Sequence, residues 1–281
     1  MLDLILSEYP LILSLLATGI IAGFLAGLLG VGGGIIIVPV LFTVLGIADV
    51  DIAIRLQLAI GTSLATIIPT SIASLRAHNK KDAVDWALLR SWAPFLVIGV
   101  AIGTWIATTQ LDGAGLALVF AVIAIAVAID LVVRDRTASD APAPELDVKP
   151  WLYSVQGAWA PAVIGACSAM MGIGGGTLSV PFLNALKYPI HKAVATSAGF
   201  GLIIAVPATL GFVVGGWTVP DRPVASLGYV NIFGFLAISL MTVCAAPIGS
   251  RIAHAVKPRT LRLLFSGFLG ITAVRMFMAF S

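Results

Sequence analysis

Two runs of three glycines lie inside strongly apolar parts of the sequence, where ordinary loops are not expected. Each run follows a glycine and one valine or isoleucine, and a proline stands five residues after its last glycine. Glycine has no Cβ, so a ligand can approach the main-chain N–H groups of such a run closely. The pattern therefore predicts a doubled main-chain binding element, whose residues are Gly32, Gly33, Gly34, Gly174, Gly175 and Gly176.

Hydroxyl side chains follow both glycine runs at similar distances. The stretch AIGTSL after the first run recurs as AVATSA after the second. A hydroxyl in a membrane helix commonly bonds its own backbone or a neighbouring helix. It can equally donate to a bound oxyanion, so both roles are open for Thr62, Ser63, Thr196 and Ser197.

Two further polar residues are candidates for substrate contact. Thr177 directly follows the second glycine run, whereas Ile35 holds the matching position after the first, which predicts an asymmetric site. Arg275 is the only basic residue well inside a predicted membrane segment. Ionisable residues within the membrane are often functional, but an arginine near a helix end can also extend its guanidinium to the interface.

The composition places these residues in a membrane protein. Of the 281 residues, 59% are hydrophobic and 10% are charged, whereas soluble domains have about 25% charged residues. Several apolar stretches approach the roughly 20 residues that cross a bilayer as a helix. We therefore expect an all-α polytopic protein in a lipid bilayer. The net charge of +3 is scattered over the connecting loops, which gives no indication of nucleic-acid binding.

The chain contains an internal repeat. The glycine runs, the Thr-Ser pairs and the pair GVAIGTWIA and AAPIGSRIA occur in the same order in both halves. A charged stretch rich in alanine and proline, RDRTASDAPAPELDVKP, separates the halves. Its composition is typical of a solvated connector. We therefore predict a first membrane repeat over 1–134, a cytoplasmic linker over 135–150 and a second membrane repeat over 151–281. The two repeats form one domain.

Each half is expected to contain five membrane segments, one of them short. A segment of 12 helical residues rises only about 18 Å, less than the hydrocarbon thickness of about 30 Å. The short segments directly follow the glycine runs, so each run marks a broken helix. The predicted segments are 11–29, 35–46, 57–75, 91–109, 113–133, 151–172, 177–187, 193–216, 228–250 and 262–280.

The distribution of lysine and arginine indicates how the segments are oriented. If every segment crosses the membrane and the N-terminus is outside, 13 of the 16 lysines and arginines face the cytoplasm. That arrangement satisfies the positive-inside rule. Because five crossings is an odd number, the second repeat is then inverted relative to the first. Both termini are predicted outside the plasma membrane, with the linker in the cytoplasm.

Inverted repeats with broken helices are common in secondary transporters, whose sites lie between the repeats near the midplane. The N-terminus of each short helix carries unpaired N–H donors and a partial positive charge. Two such ends facing each other would bind an anion. The absence of an acidic residue near any segment centre is consistent with a negatively charged substrate. The alternative for the glycines is close helix packing.

Several enzyme motifs are absent from the sequence. It contains no G-x-x-x-x-G-K-[ST], no H-E-x-x-H, no G-x-S-x-G and no Cys/His cluster. We therefore expect no enzyme activity, no cofactor, no metal site and no catalytic residue. The alternative to a transporter is an integral membrane protein that does not transport, either a membrane enzyme or an assembly factor.

The doubled G-[VI]-GGG-x4-P element, the AIGTS after its first copy and RAHNKKDAVDW beyond that helix resemble the TauE/SafE family. The resemblance extends to PIGSRIAHAVKPRTLRLLF near the end of the chain. It implies a bacterial plasma-membrane permease, a sulfite exporter or a relative of one, that transports small sulfur-containing anions such as sulfite, sulfoacetate or other organosulfonates. The family's glycine signature maps onto the two GGG runs. The resemblance leaves open the individual anion, the direction of transport, a coupling ion or proton, and assembly into a homo-oligomer.

Overall fold

The fold is taken from a computed structural model of the chain. It describes residues 15–24, 34–137, 157–220, 222–253 and 258–279. These residues form ten α-helices, one short π-helical turn and one small hairpin. In chain order the helices are α1 (Leu15–Phe24), α2 (Gly34–Ile47), α3 (Ile52–Asn79), α4 (Trp86–Trp105), α5 (Gly113–Thr137), α6 (Trp159–Met171), α7 (Gly176–Ala185), α8 (Ile190–Gly215), α9 (Ile232–Ala253) and α10 (Pro258–Met278).

The helical prediction is confirmed, with one helix at each of the ten expected segments. Among the described residues, four helices are long and apolar enough to cross a membrane. Helices α2 and α7 have 14 and 10 residues, which corresponds to about 21 and 15 Å. Both are shorter than a bilayer core, as the sequence predicts. The four spans are Ile52–Asn79, Trp86–Gln110, Gly113–Asp130 and Ile190–Gly215.

Local sequence signals set several helix ends. Asp51 caps α3 by accepting a hydrogen bond from the Ala53 N–H at 3.0 Å, and Asp85 caps α4 by accepting one from the Leu88 N–H at 2.9 Å. Such side chains pair the free N–H donors of a first helical turn. Helix α6 ends at Gly172, whose φ of 68° is left-handed and therefore suits glycine. Helix α5 continues to Thr137, three residues beyond the predicted end of the first repeat.

The two long helices α3 and α8 cross in the centre of the molecule and run antiparallel. A Cβ on Gly201 of α8 would lie 2.6 Å from the Ser71 Oγ of α3. Nearer the start of α3, a Cβ on Gly61 would lie 3.2 Å from the Cβ of Phe212 in α8. Glycine at these positions allows the two backbones to approach closely, as is common between membrane helices.

Aromatic rings join the short helix α7 to the long helices. The Trp92 ring of α4 stacks on Phe200 of α8, with centroids 5.1 Å apart and an interplanar angle of 14°. Phe182 of α7 lies 6.1 Å from Trp92 and 6.0 Å from Trp159 of α6. Trp92 and Phe200 are buried. This cluster connects α4, α6, α7 and α8 at one level of the protein.

A small hairpin, β1 (Ser226–Leu227) with β2 (Val230–Asn231), precedes α9. It packs on α8 through the Tyr229 N–H, which donates to the Phe212 carbonyl at 3.1 Å.

Candidate functional site

The two broken-helix elements meet in the interior of the protein. We refer to Gly34, the first residue of α2, and to the turn 172–175 before α7 as the glycine tips. A Cβ on Gly34 would lie 2.8 Å from the Gly172 carbonyl oxygen and 2.9 Å from the Ile173 Cα. The two main chains are therefore in direct contact, which any larger residue at Gly34 would prevent.

Ser63 of α3 connects the two glycine tips. Its Oγ donates to the Gly172 carbonyl at 2.7 Å and lies 3.5 Å from the Gly34 carbonyl oxygen. Ser63 is fully buried, so the bond forms away from water, where an unpaired carbonyl is costly. A hydroxyl on one long helix thus holds the breaks of both short helices.

The glycine tips lie beside the middle of the two long helices. Ile67, near the midpoint of α3, approaches the Cβ positions of both Gly34 and Gly174, at 3.0 and 3.4 Å. A Cβ on Gly175 would lie 2.8 Å from the Gly201 nitrogen, near the midpoint of α8. Irregular backbone at this depth is tolerated in membrane proteins only where protein buries it or a cavity adjoins it.

The groups that the glycine tips can offer to a ligand are main-chain N–H groups. No side chain caps the first turn of α7, whose N-cap is Gly175. The early N–H groups of α2 and α7 start at the place where the tips meet, and helix N-termini carry a partial positive charge. The described side chains that approach the tips are uncharged, and they are those of Val38, Ser63, Ile67 and Phe200. This arrangement suits a small anion.

The glycines of the second run differ in the space around them. A Cβ on Gly175 would lie 2.6 Å from the Phe200 Cβ, so this glycine is required for close packing against α8. Among the described residues, a Cβ on Gly174 would meet the Ile67 side chain alone, at 3.4 Å and beyond. Gly174 is therefore less tightly packed than Gly175, although both are buried. Gly32 and Gly33 lie outside the described residues.

The two matched threonines make matched hydrogen bonds. The Thr62 Oγ1 accepts from the Asn231 N–H at 2.9 Å, and the Thr196 Oγ1 accepts from the Asp85 N–H at 2.9 Å. Both threonines are fully buried. Each bond joins one half of the chain to the other, so the threonines hold the first turns of α9 and α4.

Asp85 and Asn231 are not among the site residues predicted from the sequence. Each accepts at its Oδ1 from the N–H three residues later, Asp85 from Leu88 and Asn231 from Gly234, at 2.9 and 2.7 Å. They stand 146 residues apart, the same offset as GVAIGTWIA and AAPIGSRIA. An Asp or Asn directly before an apolar run is an N-cap signal, and this signal would have identified both. Asp85 also accepts from the Tyr188 hydroxyl at 2.6 Å, which joins the end of α7 to the start of α4.

The other predicted site residues lie in different parts of the structure. Gly176 and Thr177 form the first turn of α7, where Thr177 is buried. The Ser197 Oγ donates to the Val194 carbonyl of its own helix at 2.8 Å. Arg275 is exposed and lines a groove with residues 39–46 of α2. It therefore faces the second half of that helix, whereas Gly34 begins the helix.

Comparison with known proteins identifies the family. Residues 15–276 match the family described as Sulfite exporter TauE/SafE. A probable membrane transporter protein of Haemophilus influenzae is 35% identical over 96% of this chain and 99% of its own length. A second probable membrane transporter protein, from Methanocaldococcus jannaschii, is 26% identical over 96% of this chain and 97% of its own. No solved structure matches the chain significantly. The chain is a multi-pass membrane protein and belongs to the TauE/SafE family of membrane transporters.

Proposed function

We propose that this transporter moves small sulfur-containing anions, such as sulfite, sulfoacetate or other organosulfonates, out of the cell by alternating access. The observation that carries the proposal is the contact between Gly34 and Gly172, which brings the starts of two short helices together beside Ser63. The description of the matched family as sulfite exporters supports the substrate class.

The proposal includes two inverted repeats, 1–134 and 151–281, with the linker 135–150 between them. The paired bonds of Thr62 and Thr196 support it, because equivalent residues of the two halves exchange equivalent contacts. An odd number of crossings per half makes the second repeat the inverse of the first. The lysine and arginine distribution favours both termini outside a bacterial plasma membrane and the linker inside it.

The main chain of the glycine tips is the proposed anion site. Helix N-termini stabilise negative charge without a basic side chain, and such a site releases its anion more easily than a salt bridge would. Gly174, which is buried but less tightly packed than Gly175, and the first turn of α7 supply the proposed N–H groups of the second half. The residues proposed to contact substrate are Gly32, Gly33, Gly34, Gly174, Gly175, Gly176 and Thr177.

The hydroxyl residues have a positioning role in this proposal. Ser63 holds the Gly172 carbonyl, while Thr62 and Thr196 hold the first turns of α9 and α4. Movement of one repeat against the other would alter these contacts between halves, since each joins residues of different repeats. Alternating access requires such a set of contacts that form and break around a fixed site.

Counterflow in proteoliposomes tests the function. Vesicles loaded with unlabelled sulfite are diluted into labelled sulfite, and uptake should exceed that of protein-free vesicles and be competed by sulfoacetate. A panel of sulfate, phosphate and chloride tests the substrate class. Specific uptake of chloride alone would contradict the sulfur-anion proposal. Absence of uptake for every anion would favour the alternative of a protein that does not transport.

A further inference from the structure

A groove of about 490 Å³ lies between the second half of α2 and the end of α10, apart from the glycine tips. Most of its wall is apolar, and the exceptions are two arginines and two threonines. Ile271, which forms part of the wall, is 66% exposed, so the groove opens at the outer surface of α10. The lining residues are Pro39, Val40, Phe42, Thr43, Gly46, Arg55, Phe268, Ile271, Thr272, Arg275, Met276 and Ala279.

Two arginines from different helices line the groove. Arg55 is in the first turn of α3 and Arg275 is in the last turn of α10. The Arg55 guanidinium is held in place, since its Nε and Nη2 donate to the Val50 carbonyl at 3.0 and 2.5 Å. It also lies 5.6 Å from the centre of the Phe42 ring. One cation of the pair is therefore positioned in advance of any ligand.

Arg275 is exposed and makes no side-chain hydrogen bond or ion pair within the described part of the chain. Among the described residues that line the groove there is no aspartate or glutamate. The described lining of the groove therefore carries a net positive charge. This distribution fits an anionic group placed between two guanidinium groups.

The surface around the groove indicates that the anion belongs to a lipid. Val274 and Phe277 on α10 are 54% and 53% exposed, as expected of a helix face against acyl chains. Arginines at helix ends extend to the level of the lipid headgroups. A free inorganic anion would gain nothing from the apolar wall, whereas a phospholipid would cover it with the upper part of a chain.

We propose that this groove binds one anionic phospholipid, with its phosphate between Arg55 and Arg275 and an acyl chain along Phe268 and Ile271. Two guanidinium groups bind phosphate strongly because each can donate two hydrogen bonds. The site is separate from the glycine tips, and the proposal does not depend on which anion is transported.

Thermal unfolding of the full chain in detergent micelles tests the proposal. Phosphatidylglycerol should raise the melting temperature in proportion to occupancy, whereas phosphatidylcholine and glycerol phosphate at equal concentrations should not. Arg275→Gln should weaken the apparent affinity for phosphatidylglycerol by about tenfold or more, the loss expected for a charged hydrogen bond. Arg275→Lys should keep part of the affinity, because the charge remains while the paired hydrogen bonds of the guanidinium are lost. Arg90→Gln removes an exposed arginine of α4 and is the matched control.

Three results would overturn the proposal. Equal stabilisation by phosphatidylcholine would show that the headgroup charge is not recognised. Stabilisation by glycerol phosphate alone would assign the site to a free anion. An unchanged response in Arg275→Gln, or the same loss in Arg90→Gln, would show that the groove is not where the lipid binds. If Arg275→Gln fails to fold, native mass spectrometry of wild-type protein and Arg275→Lys compares the retention of the two lipids.

Discussion

The Ser63 hydroxyl of α3 donates a 2.7 Å hydrogen bond to the carbonyl of Gly172, which lies 109 residues away at the break before α7. The Cβ position of Gly34 lies only 2.8 Å from the oxygen of the same carbonyl. One buried hydroxyl therefore pairs the carbonyl at which the break before α7 meets the first residue of α2.

Ser63→Ala should lower the free energy of unfolding by about 0.5–1.5 kcal/mol, because a buried carbonyl loses its partner. Ser197→Ala is the matched control at the equivalent position of the other half. Among the described residues, the Ser197 hydroxyl donates to the Val194 carbonyl of its own helix and makes no bond to another helix, so its loss should cost less. Thermal unfolding of the two variants measures the difference, and equal melting temperatures would contradict the connecting role of Ser63.

Thr62→Val and Thr196→Val should each destabilise the protein by about 1–3 kcal/mol, the cost of leaving a buried N–H donor unpaired. The affected donors are the N–H groups of Asn231 and Asp85. Thr→Ser at either position should retain most of the stability, since the acceptor oxygen remains. Thr108→Val serves as the control, because the Thr108 hydroxyl bonds the Thr104 carbonyl of its own helix. If the valine variants are as stable as wild type but bind substrate more weakly, the threonines contact the anion and do not hold the helix ends.

Gly174→Ala and Gly175→Ala should behave differently. A Cβ at Gly175 meets the Phe200 Cβ and the Gly201 backbone, so this variant should lose about 1–3 kcal/mol of stability through overpacking. Gly174→Ala has room for its methyl group and should melt close to wild type. If the main chain at Gly174 binds the anion, this variant should lose the rise in melting temperature that sulfite causes in wild type. A normal sulfite response in Gly174→Ala would exclude the main chain there as an anion contact.

The topology predicts opposite accessibility for the two ends of α4. In a background where Cys167 and Cys244 are replaced by alanine, Gln110→Cys should react with an impermeant maleimide in intact cells. Lys81→Cys should react only after the membrane is permeabilised. Gln110 and Lys81 are both exposed, so their labelling depends on the side of the membrane. The reverse pattern would contradict the predicted orientation and place the linker outside.

The sequence by itself was sufficient for the helices and for the short segments among them. A run of about 20 apolar residues can satisfy its backbone in a bilayer only as a helix, and this constraint is local. The second glycine run marked the break before α7, whereas most of the first run lies outside the described residues. The local sequence also contains the N-cap signals of α4 and α9, since Asp85 and Asn231 stand directly before apolar runs at matched positions.

Only the tertiary structure decided what each polar residue contacts. From the sequence, Thr62 and Thr196 could equally bind substrate or bond a neighbouring helix. A hydroxyl bonds whichever partner the neighbouring helix presents. The fold presents the N–H groups of Asn231 and Asp85. Likewise Gly174 and Gly175 are adjacent and chemically identical, yet among the described residues Phe200 of α8 packs against the Cβ position of Gly175 and not against that of Gly174. Such differences depend on the approach of helices distant in the chain, which no local pattern encodes.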